Sequence, residues 1–158
     1  RAFIRFSMLA AGRIFRTITG TYYRRVREMK LLLDTHAFLW WTSEPERLPP
    51  SLVGLLRSPD NKLFLSAAVS WEVAIKTGIG KLTLKQPWES IVQKEIEQNG
   101  TRVLPITLDH TFTLRKLAPL HKDPFDRMLL AQAMAENLIL VTDDSLVRRY
   151  PDVKTKWD

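Results

Sequence analysis

From residue 30 onward, short solid runs of apolar residues alternate with longer stretches in which apolar positions recur every three or four residues. The solid runs are KLLLD at 30–34, residues 62–65, residues 102–106 and LILVT at 138–142. Runs this short and this rich in Leu, Ile and Val predict strands buried on both faces, as in a parallel sheet. Residues 153–156 add a weaker edge strand. The periodic stretches predict helices at 35–41, 50–57, 67–77, 87–99, 109–117 and 124–136, with a short one near 145–150. Their ends are punctuated. Pro49 and Pro50 introduce the second helix, and Ser66 precedes the third, which Gly78 and Gly80 stop. Gly100 closes the fourth, and Pro124 opens the sixth.

Strands alternating with helices imply an α/β fold: a three-layer α/β/α sandwich around a central, mostly parallel sheet. In such sheets ligand sites form beyond the carboxyl ends of the strands. No internal repeat or second domain is visible, and 158 residues bury a sizeable core without staples.

Composition then removes several chemistries. The chain has no cysteine, which excludes disulfides, thiolate zinc sites and a cysteine nucleophile. Its three histidines (His36, His110, His121) lack the H-x-x-x-H spacing of a zincin. No window approaches 18 uninterrupted apolar residues, so no membrane partner is expected, and a cytoplasmic location fits the missing cysteine.

The net charge of +7 suggests nucleic-acid binding until it is divided along the chain. Residues 1–28 hold seven arginines and one acid, whereas the remaining 130 residues hold 17 basic and 16 acidic side chains. The basicity belongs to the N-terminal segment, and the body is nearly neutral. Three readings of residues 1–28 compete: a transit peptide, a membrane-surface helix, and translated upstream sequence ahead of a start at Met29. The last is preferred, so residues 1–28 are expected to be a basic extension outside a domain spanning 29–158.

Chemistry must therefore run on carboxylates. Asp34 closes the first strand, and Asp143 and Asp144 follow the last strong one. Glu72 lies on the helix after the second strand, and Asp126 lies in the first turn after Pro124. Oxygen ligands without Cys or paired His suit a hard cation such as Mg²⁺ or Mn²⁺. Without one, clustered acids would repel and take up protons.

Structural roles compete at each position. Asp34 and Asp123 are natural N-caps, and Asp126 favours the positive end of its helix. Glu72 and Lys76, four residues apart, suit a surface ion pair, although Trp71 and the apolar residues around Glu72 argue against a solvated face. Lys76 could instead orient Glu72 or meet a phosphate. Arg127 could be a solvated charge, a partner of Asp123 or a phosphate contact. His121 and Lys122 are candidate phosphate contacts, and Thr142 could support a carboxylate or a water. The tryptophans (Trp40, Trp41, Trp71, Trp88, Trp157) suit core and interface better than base stacking. Residues 78–81 lack Walker A spacing, and Ser70 lacks a nucleophile elbow.

Five motifs in order carry a family resemblance: LLLDTHAFLWW at 31–41, LSAAVSWEVAIKTGIGKL at 65–82, LPITLDH at 104–110, HKDPFDRMLLAQA at 121–133 and LVTDDSL at 140–146. Residues 30–158 resemble PIN domains, in particular the VapC-type toxins of bacterial toxin–antitoxin pairs. The resemblance implies Mg²⁺- or Mn²⁺-dependent cleavage of RNA, with catalytic and metal-binding acids at Asp34, Glu72, Asp126 and Asp144. A metal-activated water would attack phosphorus and leave a 5′-phosphate and a 3′-hydroxyl. Asp143 occupies the variable position of the T-x-D motif. The implied partners are RNA, a cognate antitoxin and a second copy, in a homodimer or a toxin–antitoxin hetero-oligomer. Three alternatives remain: an RNA-processing PIN nuclease without an antitoxin, a non-catalytic PIN-like binding module, and a Mg²⁺-dependent phosphotransfer domain. The last is disfavoured because Asp34 lacks a D-x-D partner and two of the acids fall on helices.

Overall fold

The computed structural model describes residues 28–158. Of the basic extension only Glu28 falls within this range, so the readings offered for it lie outside the described residues. The domain's first contacts are made by Glu28, paired with Lys62, and by Met29, whose amide donates to Asn61 Oδ1 at 3.0 Å.

Five strands form one all-parallel sheet: β1 (Lys30–Leu33), β2 (Lys62–Ser66), β3 (Arg102–Leu104), β4 (Ile139–Val141) and β5 (Thr155–Lys156), in the order β3-β2-β1-β4-β5. Six α-helices connect them: α1 (Thr35–Ser43), α2 (Pro50–Arg57), α3 (Ala67–Gly78), α4 (Trp88–Asn99), α5 (Leu108–Leu114) and α6 (Pro124–Glu136). The chain steps outward from β1 to β3, then returns to β4 on the other side of β1. Crossovers between parallel strands are right-handed as a rule, so running them in opposite directions puts helices on both faces, giving three α/β/α layers. The reversal lies between β1 and β4, and a site belongs at their carboxyl ends.

The leucine run of β1 explains its central place. Leu31, Leu32 and Leu33 are all buried, which requires cover on both faces. Leu52, Leu65, Val69, Leu129, Leu130 and Leu140 pack around them. Trp40, Trp41, Trp88 and Trp157 are half-buried against this core, as expected, but Trp71 is 56% exposed.

Several boundaries are tighter than the sequence pattern suggests. β3 stops at Leu104 because Pro105 has no N–H for the ladder. Asn137 ends α6 in the left-handed region (φ 51°). Leu138 then donates to the Ala133 carbonyl as part of the helix cap, and the strand starts one residue later. α5 spans Leu108–Leu114 rather than 109–117, and the element near 145–150 is a 3₁₀ turn over Val147–Arg149. No helix among the described residues is long and apolar enough to cross a membrane.

Candidate active site

β1 and β4 deliver Asp34 and Thr142 side by side. Leu33 pairs with Val141, and the Asp34 amide donates to the Val141 carbonyl at 3.1 Å. Asp34 is also the N-cap of α1, with Oδ1 accepting the Ala37 N–H at 2.7 Å. Capping therefore coexists with a place in the cleft. Burial pushes its carboxyl up to about 6, against the opposing pull of hydrogen bonds from Thr142 and the Ala37 amide.

Glu72 lies on α3 and is buried. Lys76, one turn on, places Nζ 2.5 Å from Oε1, while the Thr35 hydroxyl donates to Oε2. The pair has the expected spacing, and its carboxylate is off the solvated face, as the apolar residues around it suggest.

Asp126 is the third residue of α6. Asp123 caps that helix, with Oδ1 accepting from the amides of Phe125 (2.8 Å) and Asp126 (3.3 Å). Burial pushes the Asp126 carboxyl up to about 7, helped by the negative charges of Asp123, Asp34 and Glu72 and opposed by His121.

Asp144 follows β4 and caps the 3₁₀ turn. Its Oδ1 accepts from the amides of Leu146 (2.7 Å) and Val147 (3.1 Å), and its own amide donates to Thr142 Oγ1 at 3.1 Å. Burial pulls its carboxyl upward, but the hydrogen bonds from Val147, Leu146 and His121 outweigh that and hold it below its ordinary value.

One cleft of about 400 Å³ is lined by Asp34, Glu72, Asp126 and Asp144, with Asp123, Asp143 and Lys76 beside them. All four acids singled out from the sequence meet there. Lys122 is exposed and does not line the cleft. Arg127 turns to the loop before α6, donating from one nitrogen to the Ala118 carbonyl (3.0 Å), the Tyr150 hydroxyl (3.3 Å) and the His121 carbonyl (3.4 Å). Its guanidinium thus braces the loop, which is neither of the partners weighed for it nor a solvated position.

The sequence reading missed Thr35, His36 and Trp40 as part of the lining. It also missed that His121 reaches the acids, with Nε2 3.4 Å from Asp144 Oδ2 and 3.5 Å from Asp126 Oδ2. Thr35 had a usable signal: it follows a strand-end acid, where α1 turns its side chain toward the same mouth.

The donor set fits a hard divalent cation. Four carboxylates from four segments line one cleft, and burial raises two of them, to about 6 and about 7. Burial and neighbouring negative charges raise both, and a cation bound by oxygens would offset them.

The PIN-domain family profile matches residues 31–153. Ribonuclease VapC22 of Mycobacterium tuberculosis is 32% identical over 131 residues, covering 80% of this chain and 98% of the relative. The chain belongs to the PIN-domain family, and its kinship with that ribonuclease puts it among the VapC-type members. Two solved structures share the fold. A chain of VapBC2 from Rickettsia felis, bound to a DNA fragment from its promoter, superposes with a TM-score of 0.63 at 21% identity, covering 82% of this chain and 100% of that one. A chain of VapBC-1 from nontypeable Haemophilus influenzae gives 0.59 at 20% identity, covering 81% and 97%.

Proposed function

We propose that the chain is a Mg²⁺- or Mn²⁺-dependent endoribonuclease acting as the toxin of a toxin–antitoxin pair in the cytoplasm. The observation that carries this reading is the convergence of Asp34, Glu72, Asp126 and Asp144 in one cleft at the carboxyl ends of β1 and β4. These four would hold the cation, which when bound polarises the scissile phosphate and lowers the pKa of an attacking water. Water adds to phosphorus, the bond from phosphorus to the 3′-oxygen breaks, and that oxygen takes a proton. The products are a 5′-phosphate and a 3′-hydroxyl.

The remaining residues prepare the cleft. Thr35 and Lys76 hold the two oxygens of Glu72, and Thr142 orients both Asp34 and the Asp144 main chain. Lys76, a third exposed at the rim, is placed to meet a phosphate oxygen once Glu72 engages the cation. Asp143, exposed at the same mouth, adds negative charge that draws cations in.

The antitoxin partner rests on kinship with a VapC ribonuclease rather than on the cleft. Large apolar side chains left exposed, among them Leu108, Phe112, Trp71 and Ile79, support an assembled state with an antitoxin or a second copy. The test is coexpression. The chain alone should arrest growth, and a small protein encoded beside it should relieve the arrest and copurify. Active nuclease without toxicity or such a neighbour would favour a processing enzyme.

A further inference from the structure

His121 and the acids Asp126 and Asp144 bring one nitrogen and two oxygens within 4.8 Å of one another, the outline of a three-ligand metal site. Such a site would suit softer metals, because imidazole favours zinc, copper, iron or nickel. The other side of the ring argues against ligation. Asp123 donates its main-chain N–H to His121 Nδ1 at 3.2 Å. A ligating histidine gives its second ring N–H to an acceptor, whereas this ring nitrogen faces a donor. A neutral imidazole carries a single N–H, and with Nδ1 accepting, the proton must sit on Nε2. In that tautomer Nε2 offers a metal no lone pair.

We propose that His121 is a positioning residue whose Nε2–H ties Asp126 to Asp144, leaving the cation an all-oxygen set; this rests on the metal-nuclease reading. The two carboxylates come from the head of α6 and the turn after β4, and their like charges oppose approach. The ring N–H meets Asp144 Oδ2 at 3.4 Å and lies 3.5 Å from Asp126 Oδ2, so its positive end offsets that repulsion from between them. The ring is itself held, being only 10% exposed. The His121 amide donates to the Tyr150 hydroxyl at 2.9 Å, and its carbonyl accepts from Arg127. The donor is thus in place before any cation arrives.

The experiment compares wild type, His121→Ala and His121→Gln in the full chain at pH 8, reading Mn²⁺ binding by electron paramagnetic resonance. Ala should weaken binding by about 10–100-fold, as loss of an outer hydrogen-bond partner does. Gln, whose amide N–H reaches the Nε2 position, should recover most of the loss. Nitrogen NMR of wild type should show Nε2 protonated and Nδ1 unprotonated, both without metal and with Mg²⁺. Unchanged binding in His121→Ala, or a Gln variant no better than Ala, would overturn the positioning role. Loss of the Nε2 proton on adding Mg²⁺ would overturn it in favour of direct ligation. A wild type that binds no Mn²⁺ would instead overturn the metal-nuclease reading, and the metal-free spectrum would still decide where the ring proton lies.

Discussion

Asp123 Oδ1 accepts the main-chain N–H of Asp126 at 3.3 Å, so one acid at the head of α6 holds another by its backbone while both carboxylates line one cleft. The two have separable duties. Asp126→Asn should cut RNA turnover by more than the ~10–100-fold typical of an outer hydrogen-bond partner. It should leave metal-free stability unchanged or raised, because it removes a buried repulsion. Asp123→Ala should cost about 0.5–2 kcal/mol through the lost cap, and Asp123→Asn much less. Melts and single-turnover cleavage at saturating Mg²⁺ check both. An Asp123→Asn protein as inactive as Asp126→Asn, with an unchanged melt, would make Asp123 a site residue.

The pH dependence follows from the raised carboxyls, about 6 for Asp34 and about 7 for Asp126 against an ordinary 3.8. The folded chain binds these protons more tightly than the unfolded chain, so their contribution is present at low pH. It is lost as pH climbs from about 4 through 7. Asp144, held low, works oppositely, its contribution disappearing only in acid. Metal-free protein should therefore melt several degrees lower at pH 8 than at pH 5.5, and Mg²⁺ should raise the melt more at pH 8. An equal Mg²⁺ effect at both pH values would contradict this assignment.

Arg127 braces the loop that carries His121. Arg127→Ala should destabilise the fold by about 0.5–1.5 kcal/mol, since it removes the guanidinium's bonds to the Ala118 and His121 carbonyls while the Tyr150 hydroxyl still donates to Ala118. Lysine should rescue little, because a single ammonium cannot reproduce the planar fork. Chemical denaturation measures both variants. Full rescue by lysine would reduce the role to charge alone.

We also propose that residues 29–158 fold and act without residues 1–28, because every described strand and helix begins at Lys30 or later. A chain starting at Met29 should melt and cleave RNA as the full chain does. Aggregation or lost activity would assign the extension to the domain.

Much of this was legible before any coordinates. Solid Leu/Ile/Val runs gave parallel strands, and acids at the ends of the runs at 30–34 and 138–142 marked the mouth of the sheet. Both caps were readable too, because Asp before a helix start has few other local uses. The illegible parts depend on tertiary direction. Arg127 looked like a solvated or cleft residue because nothing local shows that it bends back to Ala118. His121 looked like a phosphate contact because its proton position depends on the Asp123 amide. Trp71 is exposed because Ala68, Val69, Glu72 and Val73 make up the buried face of α3, and position 71 falls outside it.

The most direct measurement is the chemistry of the RNA ends, with and without chelator. The account predicts cleavage that EDTA abolishes and Mg²⁺ or Mn²⁺ restores, leaving 5′-phosphate and 3′-hydroxyl termini that the Asp126→Asn protein does not produce. Cleavage that persists in excess EDTA, or fragments ending in a 2′,3′-cyclic phosphate, would contradict a carboxylate-held metal centre.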